Sequence, residues 1–122
     1  MPDTDAIDYD DIKDGVIRNC LIHNLEGFNS DAIDIGERAE NVLIENNVIY
    51  NITDKGISVG QNSDVHIYNN LIVGCAMGVG VKDSSTVKIT NNTFYVYDIA
   101  INSFEKNFGH GGGFVEVSNC IL

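Results

Sequence analysis

Tryptophan is absent, proline occurs once, and the chain of 122 residues holds only 7 basic side chains against 18 acidic ones. A formal charge of −11 excludes nucleic acid and anionic membrane as partners, because neutralising phosphates takes clustered Lys and Arg. The carboxylate surplus leaves three options open: Ca²⁺, a cationic ligand, or a solvated acidic surface. No apolar run approaches the roughly 20 residues of a membrane span. No signal peptide precedes the first acidic residues, so the expectation is either a cytosolic protein or a sequence that begins after such a segment. Cys20, Cys75 and Cys120 form neither a CxxC pair nor an even framework. They read as small buried apolar residues rather than metal ligands or nucleophiles. With 43% hydrophobic residues the chain supports a true core, and its length suits one domain, expected over 1–122.

What is present is repetition. "DAID" occurs at 5–8 and again at 31–34. "RNCLI", "ENNVI", "YNNLI", "TNNTF" and "SNCIL" share a frame whose common Asn falls at 19, 46, 69, 91 and 119, with gaps of 27, 23, 22 and 28. Before the later copies stand alternating apolar pairs: Val42 and Ile44, Val65 and Ile67, Val87 and Ile89, Val115 and Val117. Alternation of period two predicts strands with those side chains on one face. A second strand in each unit reads "DAIDIG", "KGISVG", "MGVGVK" and "YDIAIN". Its inward column is expected to run Ile7, Ile33, Ile57, Val79, Ile99. No unit shows a helical period or a leucine-rich consensus. Short repeats of this kind stack as a solenoid with parallel, in-register strands, here of about five coils rising about 4.8 Å each.

"VLIENNVIYNITDKGISVG" and "VHIYNNLIVGCAMGVGV" resemble the repeats of right-handed parallel β-helices of the pectate-lyase-like superfamily, and the resemblance spans nearly the whole chain. It implies an all-β, single-stranded, right-handed parallel β-helix. It does not choose an activity, since lyases, hydrolases, epimerases, tailspikes and non-catalytic modules share such repeats. "DKGISVG", "GVGVKDSSTVKITNNTF" and "AINSFEKNFGHGGG" are also similar to bacterial β-helix segments of large surface proteins. That likeness implies an extracellular or cell-surface setting. The column Cys20, Asn47, Asn70, Asn92, Cys120 resembles the buried asparagine ladder of the superfamily, and it is preferred to the neighbouring all-Asn column.

The outer face of the second strand is the expected location of function. Its outward positions are Ala6 and Asp8, Ala32 and Asp34, Gly56 and Ser58, Gly78 and Gly80, Asp98 and Ala100. Beside them runs Asp10, Gly36, Gly60, Lys82, Asn102. Two readings of these small residues stay open: a flat groove for an extended polysaccharide, as the resemblance implies, or close approach of neighbouring backbone. Asp8, Asp10 and Asp34, flanked by Asp5 and Asp31, form the candidate metal set, and oxygen ligands suit Ca²⁺ rather than Zn²⁺. The alternative is that no cofactor is bound. Residues 103–114 are an insertion: Ile101 to Val115 takes fourteen positions where Val59 to Val65 takes six. It is expected to be a mobile loop overhanging the small-residue face.

The substrate-binding candidates are Asp34, Ser58, Lys82, Asn102, Phe104, Phe108 and His110. Lys82, His110 and Asp34 are the candidate catalytic groups, with no complete catalytic set and no apolar surround to raise an Asp pKa. Two functions follow. One is a non-catalytic module, scaffolding or carbohydrate-recognising, from a bacterial exported protein. The other is a fragment of a polysaccharide lyase, epimerase or glycoside hydrolase acting on acidic polysaccharide. The uncapped apolar ending "NCIL" further suggests end-to-end self-association or missing flanking coils.

Overall fold

β-Branched residues at every second position favour extended backbone, and the chain realises this twelve times. The computed structural model describes residues 4–122; the first three residues of the expected domain lie outside the described residues. The strands are β1 (Ile7–Asp10), β2 (Val16–Arg18), β3 (Leu21–Leu25), β4 (Ile33–Gly36), β5 (Val42–Glu45), β6 (Val48–Val59), β7 (Asp64–Tyr68), β8 (Leu71–Lys82), β9 (Thr86–Thr90), β10 (Thr93–Tyr95), β11 (Ile99–Phe104) and β12 (Phe114–Ser118). Among the described residues there is no helix.

Every strand pairing is parallel, and the strands form three faces. The first face is β2, β5, β7, β9 and β12. The second is β3, the leading halves of β6 and β8, and β10. The third is β1, β4, the trailing halves of β6 and β8, and β11. β6 and β8 bend from second face to third, and their register shifts between Ile52 and Lys55. The five expected coils are thus five rungs on the third face, joined by four complete turns.

Stacking turns sequence columns into interior rows. Ile17, Ile44, Ile67, Ile89 and Val117 form one. Ile22, Ile49, Ile72 and Phe94 form a second. The third is Ile7, Ile33, Ile57, Val79 and Ile101. Its last member corrects the expectation of Ile99. The final β8-to-β11 step keeps a constant offset from Thr93↔Leu71 through Ile101↔Val79, so Ile99 falls opposite Met77. Alternation alone cannot distinguish positions two apart, whereas stacking can.

The corner between first and second faces holds the preferred ladder. Asn47, Asn70 and Asn92 are buried. Asn70 Oδ1 accepts from Asn47 N and Nδ2 at 3.0 Å each, and Asn92 Oδ1 accepts from Asn70 N at 2.8 Å and Nδ2 at 3.0 Å. The amides also donate to the carbonyls of Ile17, Ile44 and Ile67. The ladder ends in sulfur at Cys120, which accepts from Asn92 N at 3.5 Å. All three cysteines are free thiols.

The neighbouring Asn column faces outward in left-handed backbone, with φ between 53° and 59° at Asn19, Asn46, Asn69, Asn91 and Asn119. Asn tolerates that region better than other non-glycine residues, which explains both columns of the "NN" pairs. A further buried row lies at the corner between third and first faces. Ala39 N donates to Ser63 Oγ and Ser63 N to Ser85 Oγ, each at 3.1 Å.

Replacing Asn70 with Ala leaves buried amide and carbonyl groups without partners. We expect a loss of about 3 kcal/mol or more in urea unfolding. Asn46→Gly, at an exposed left-handed position, is expected to stay within about 0.5 kcal/mol of the parent.

Candidate functional site

The third face and the corner that follows it carry the polar chemistry. At that corner successive pairs of left-handed residues stack on one another: Glu37 and Arg38, Gln61 and Asn62, Asp83 and Ser84. Left-handed backbone turns the chain sharply into the first face and aims these side chains outward. The insertion 103–114 stands beside them, and it is not a free overhang.

Asp83 is almost fully buried. Its Oδ1 accepts the amides of Lys106 at 2.9 Å and Asn107 at 3.0 Å, and its Oδ2 accepts Asn107 Nδ2 at 2.7 Å. Burial pushes this carboxyl up, but the Asn107 and Lys106 amides, the Asn107 side chain and the charge of His110 outweigh it, so it lies below its ordinary value. The far side of the loop is held by the Lys82↔Gly112 bridge, by Ser84 N donating to the Gly112 carbonyl at 3.2 Å, by the Ser84 hydroxyl on the His110 carbonyl, and by Ser103 Oγ donating to the Gly113 carbonyl at 2.7 Å. A carboxylate clamp and contacts at His110, Gly112 and Gly113 thus tie the loop to the corner.

Loop and corner enclose two adjoining hollows that share Gln61, Asp83 and Asn107. One is a cleft of about 830 Å³, open to solvent, with Glu37, Arg38, Asn62, Ser84 and His110 in its wall. The other, about 150 Å³, is lined by Asp34, Lys82 and Lys106. Two of the candidate catalytic groups, Asp34 and Lys82, therefore meet in the small hollow, and His110 lies across the shared wall. Lys82 is largely buried, its aliphatic stem lying against Gly60, where a Cβ would come within 3.1 Å of its Cε. Burial lowers its pKa, with Lys106 and Lys55 adding repulsion against the attraction of Asp34.

Asp34 departs from the expectation of an unperturbed carboxylate. Burial, reinforced by Asp5, Asp8 and Asp10 and opposed by Lys82, pushes it up to about 6. Asp31 is pushed up to about 7 by burial, against Lys55. The candidate metal set is brought together only in part. Asp8 does stack on Asp34, but the carboxylates that approach within 4.8 Å of one another are Asp5, Asp31 and Asp34. Asp10 lies outside that group, opposite Gly36, in strand register one step further along. Three oxygen ligands at such spacing suit a hard cation. However, the group already has a resident positive charge, because Lys55 Nζ lies 3.6 Å from Asp31 Oδ1 and 2.8 Å from Asp54 Oδ2.

The open small-residue groove does not form. Ala32 is fully buried, and Gly56 and Gly78 face the interior corner. A Cβ on Gly56 would meet Ile72 at 2.8 Å, and one on Gly78 would meet the Phe94 ring at 2.6 Å. These residues are small because core side chains and the backbone of the next coil both crowd the bend between the second and third faces: the Ala100 carbonyl lies 2.5 Å from a Cβ on Gly78 and the Gly78 carbonyl 2.9 Å from one on Gly56. Outward positions are roofed over as well. Gly80 lies beneath Lys55, Met77 and Phe104, and Ser58, fully buried, cannot reach a ligand. Asn102 stacks on Gly80 and Phe104 on Lys82, one column away from the expected alignment. Phe108 projects freely from the loop, 98% exposed. His23 and His66 sit on the second and first faces, away from the cleft.

Arg38, Gln61, Asp83 and Asn107 were not among the expected site residues. Only the recurrent polar pair before each first-face strand, "ER", "QN" and "DS", marks their corner in the sequence.

The sequence model of a family described as right handed beta helix region matches residues 3–122. The chain belongs to that family. The β-helix match confirms the parallel solenoid and its right-handed winding, and it covers every strand described above. No curated protein and no solved structure matches this β-helix.

Opposite shifts in these carboxyls give a testable pH response. Asp31 and Asp34 bind protons more tightly when folded, so stability is gained as pH falls through their folded values of about 7 and about 6 toward the ordinary value of 3.8. Urea midpoints should rise across that window, and Asp31→Asn should flatten the rise. Asp83 has the reverse sign, its contribution being lost as pH falls through its depressed folded pKa. Protection factors of the Lys106 and Asn107 amides, taken against their intrinsic exchange rates at each pH, should therefore fall only below the ordinary carboxylate range. In Asp83→Ala they should be low at every pH.

Proposed function

We propose that this β-helix module recognises a saccharide in the cleft beside the insertion loop, without chemistry, as part of an exported bacterial protein. The observation that carries the reading is Phe108. Phe108 is 98% exposed and lies in the chain between Asn107 and His110, both of which line the cleft, and a solvated ring carried by a cleft-forming loop suits a flat apolar sugar face. Fixing of the loop by Asp83 supports it further, because a pre-set wall loses little entropy on binding. The two hollows together carry Arg38, Lys82 and Lys106 against Glu37, Asp34 and Asp83. In a chain of charge −11 this locally balanced lining is the place where a sugar bearing a carboxylate meets the least repulsion. A Ca²⁺ ion at Asp5, Asp31 and Asp34 is not required, since Lys55 already serves that carboxylate group.

A second reading, a lyase, epimerase or hydrolase of acidic polysaccharide, is favoured by one observation. Asp34, pushed up, and Lys82, pushed down, line the same small hollow, and opposed shifts of this kind accompany acid–base pairs.

Titration calorimetry with uronate-containing and neutral oligosaccharides distinguishes the readings. Binding of the acidic sugars is expected, weakened about tenfold or more by Phe108→Ala and by Lys82→Ala. Unchanged affinity in EDTA separates direct recognition from a Ca²⁺-assisted mode. No binding across both panels would refute recognition, and appearance of unsaturated uronate or reducing ends would establish the enzymatic reading.

A further inference from the structure

The distribution of charge around the cylinder is uneven. Residues 19–25, 46–53, 69–77, 91–97 and 119–122 contain none of the chain's 18 acidic and 7 basic residues. At the overall charged fraction of 20% they would carry about seven. These segments are the second face together with its flanking corners. By contrast, the first face points Arg18, Glu45, Lys88 and Glu116 outward, and the third carries Asp8, Asp34 and Lys82.

The uncharged face is also apolar. One outward row runs Leu21, Val48, Leu71, Thr93 and Ile121, each in register with the next. Beside it runs His23, Tyr50, Val73 and Tyr95. The His23 and Tyr50 rings, on successive rungs, stack face to face at 4.8 Å and 8°. Leu21 is 61% exposed and Tyr95 77%, well beyond scattered single apolar residues.

We propose that the second face is a self-association surface, on which two copies of this chain pack sheet to sheet about a two-fold axis near Leu71. The occupant follows from the charge. Two chains of −11 repel wherever acidic surfaces meet, and this face offers close approach without bringing fixed charges together. Its dimensions suit the task. Five rungs at about 4.8 Å, by about six residues at 3.3 Å, present roughly 480 Å² per copy. A pair then removes about 1,000 Å², below the roughly 1,200 Å² at which stable interfaces begin and within the range of weak, transient ones. Leu71 is the third of the five rungs, so a two-fold axis at the centre of the sheet places it against its own copy. Contact of this size is weak and reversible. It runs along the side of the cylinder and leaves both ends and the insertion loop free.

Sedimentation velocity on the full chain, from about 1 µM to about 1 mM, tests the proposal. A monomer–dimer equilibrium within that range is expected, tightening as salt rises because screening relieves the repulsion of the two acidic bodies. Leu71→Glu places two like charges at the axis and should weaken dimerisation about tenfold or more, whereas Thr86→Glu on the first face should not. Circular dichroism verifies the fold of each variant, and Tyr95→Glu, at a highly exposed position, serves if Leu71→Glu fails to fold. A monomer at every concentration overturns the proposal. So does a dimer that loosens with salt, or one indifferent to a folded second-face variant.

Discussion

A row of buried carboxamides sets where each turn of this chain begins. An unpaired amide in a protein interior costs more than a paired one contributes, so Asn47, Asn70 and Asn92 must lie directly above one another or each leaves donors and acceptors stranded. That requirement fixes the phase of every coil. Once it holds, the isoleucine rows on three faces fall into line and alternation decides which side chains reach the core. The serine hydroxyls at Ser63 and Ser85 repeat the device at another corner. The insertion at 103–114 is tolerated because it leaves the register of β9 and β12 intact on either side of it.

Most of the architecture was readable from the residues because a solenoid writes its third dimension as periodicity. Val42, Val65, Val87 and Val115 stand in one column of the sequence and in one row of the structure. The ladder was readable because Cys20 and Cys120 terminate the inner Asn column only. What failed had a common cause: strand alternation specifies a face but not a register. Ile99 and Ile101 are equivalent by period two, and only the pairing with Val79 separates them. Small residues were ambiguous for a different reason. Gly56 and Gly78 carry no side chain to declare a direction, and the side chains of Ile72 and Phe94 and the carbonyls of Gly78 and Ala100 that crowd them belong to the next coil. Asp83 went unnoticed because two of its three partners are backbone amides more than twenty residues distant, and backbone amides have no sequence signature.

The three faces divide labour by polarity. The third face and the following corner concentrate ionisable groups close enough to perturb one another, with Asp31 and Asp34 pushed up and Lys82 pushed down. Its burial is provided by long side chains folded back on the sheet, Lys55, Met77 and Phe104, rather than by a second layer of structure. The second face carries no fixed charge. A cylinder only five rungs long thus presents chemically distinct sides, because each coil contributes one strand to each of them.

The direction of the amide hydrogen bonds has an electrical consequence. In the buried row each Nδ2 points to the oxygen of the next coil, from Asn47 to Asn70 to Asn92. In the solvent-facing rows the donors point backward, from Asn69 to Asn46, Asn51 to Asn24 and Asn119 to Asn91. The outward pairs thus oppose the buried row in part, whereas the aligned peptides of an α-helix all add. Stacking further turns of this kind accumulates less axial dipole than lengthening a helix does.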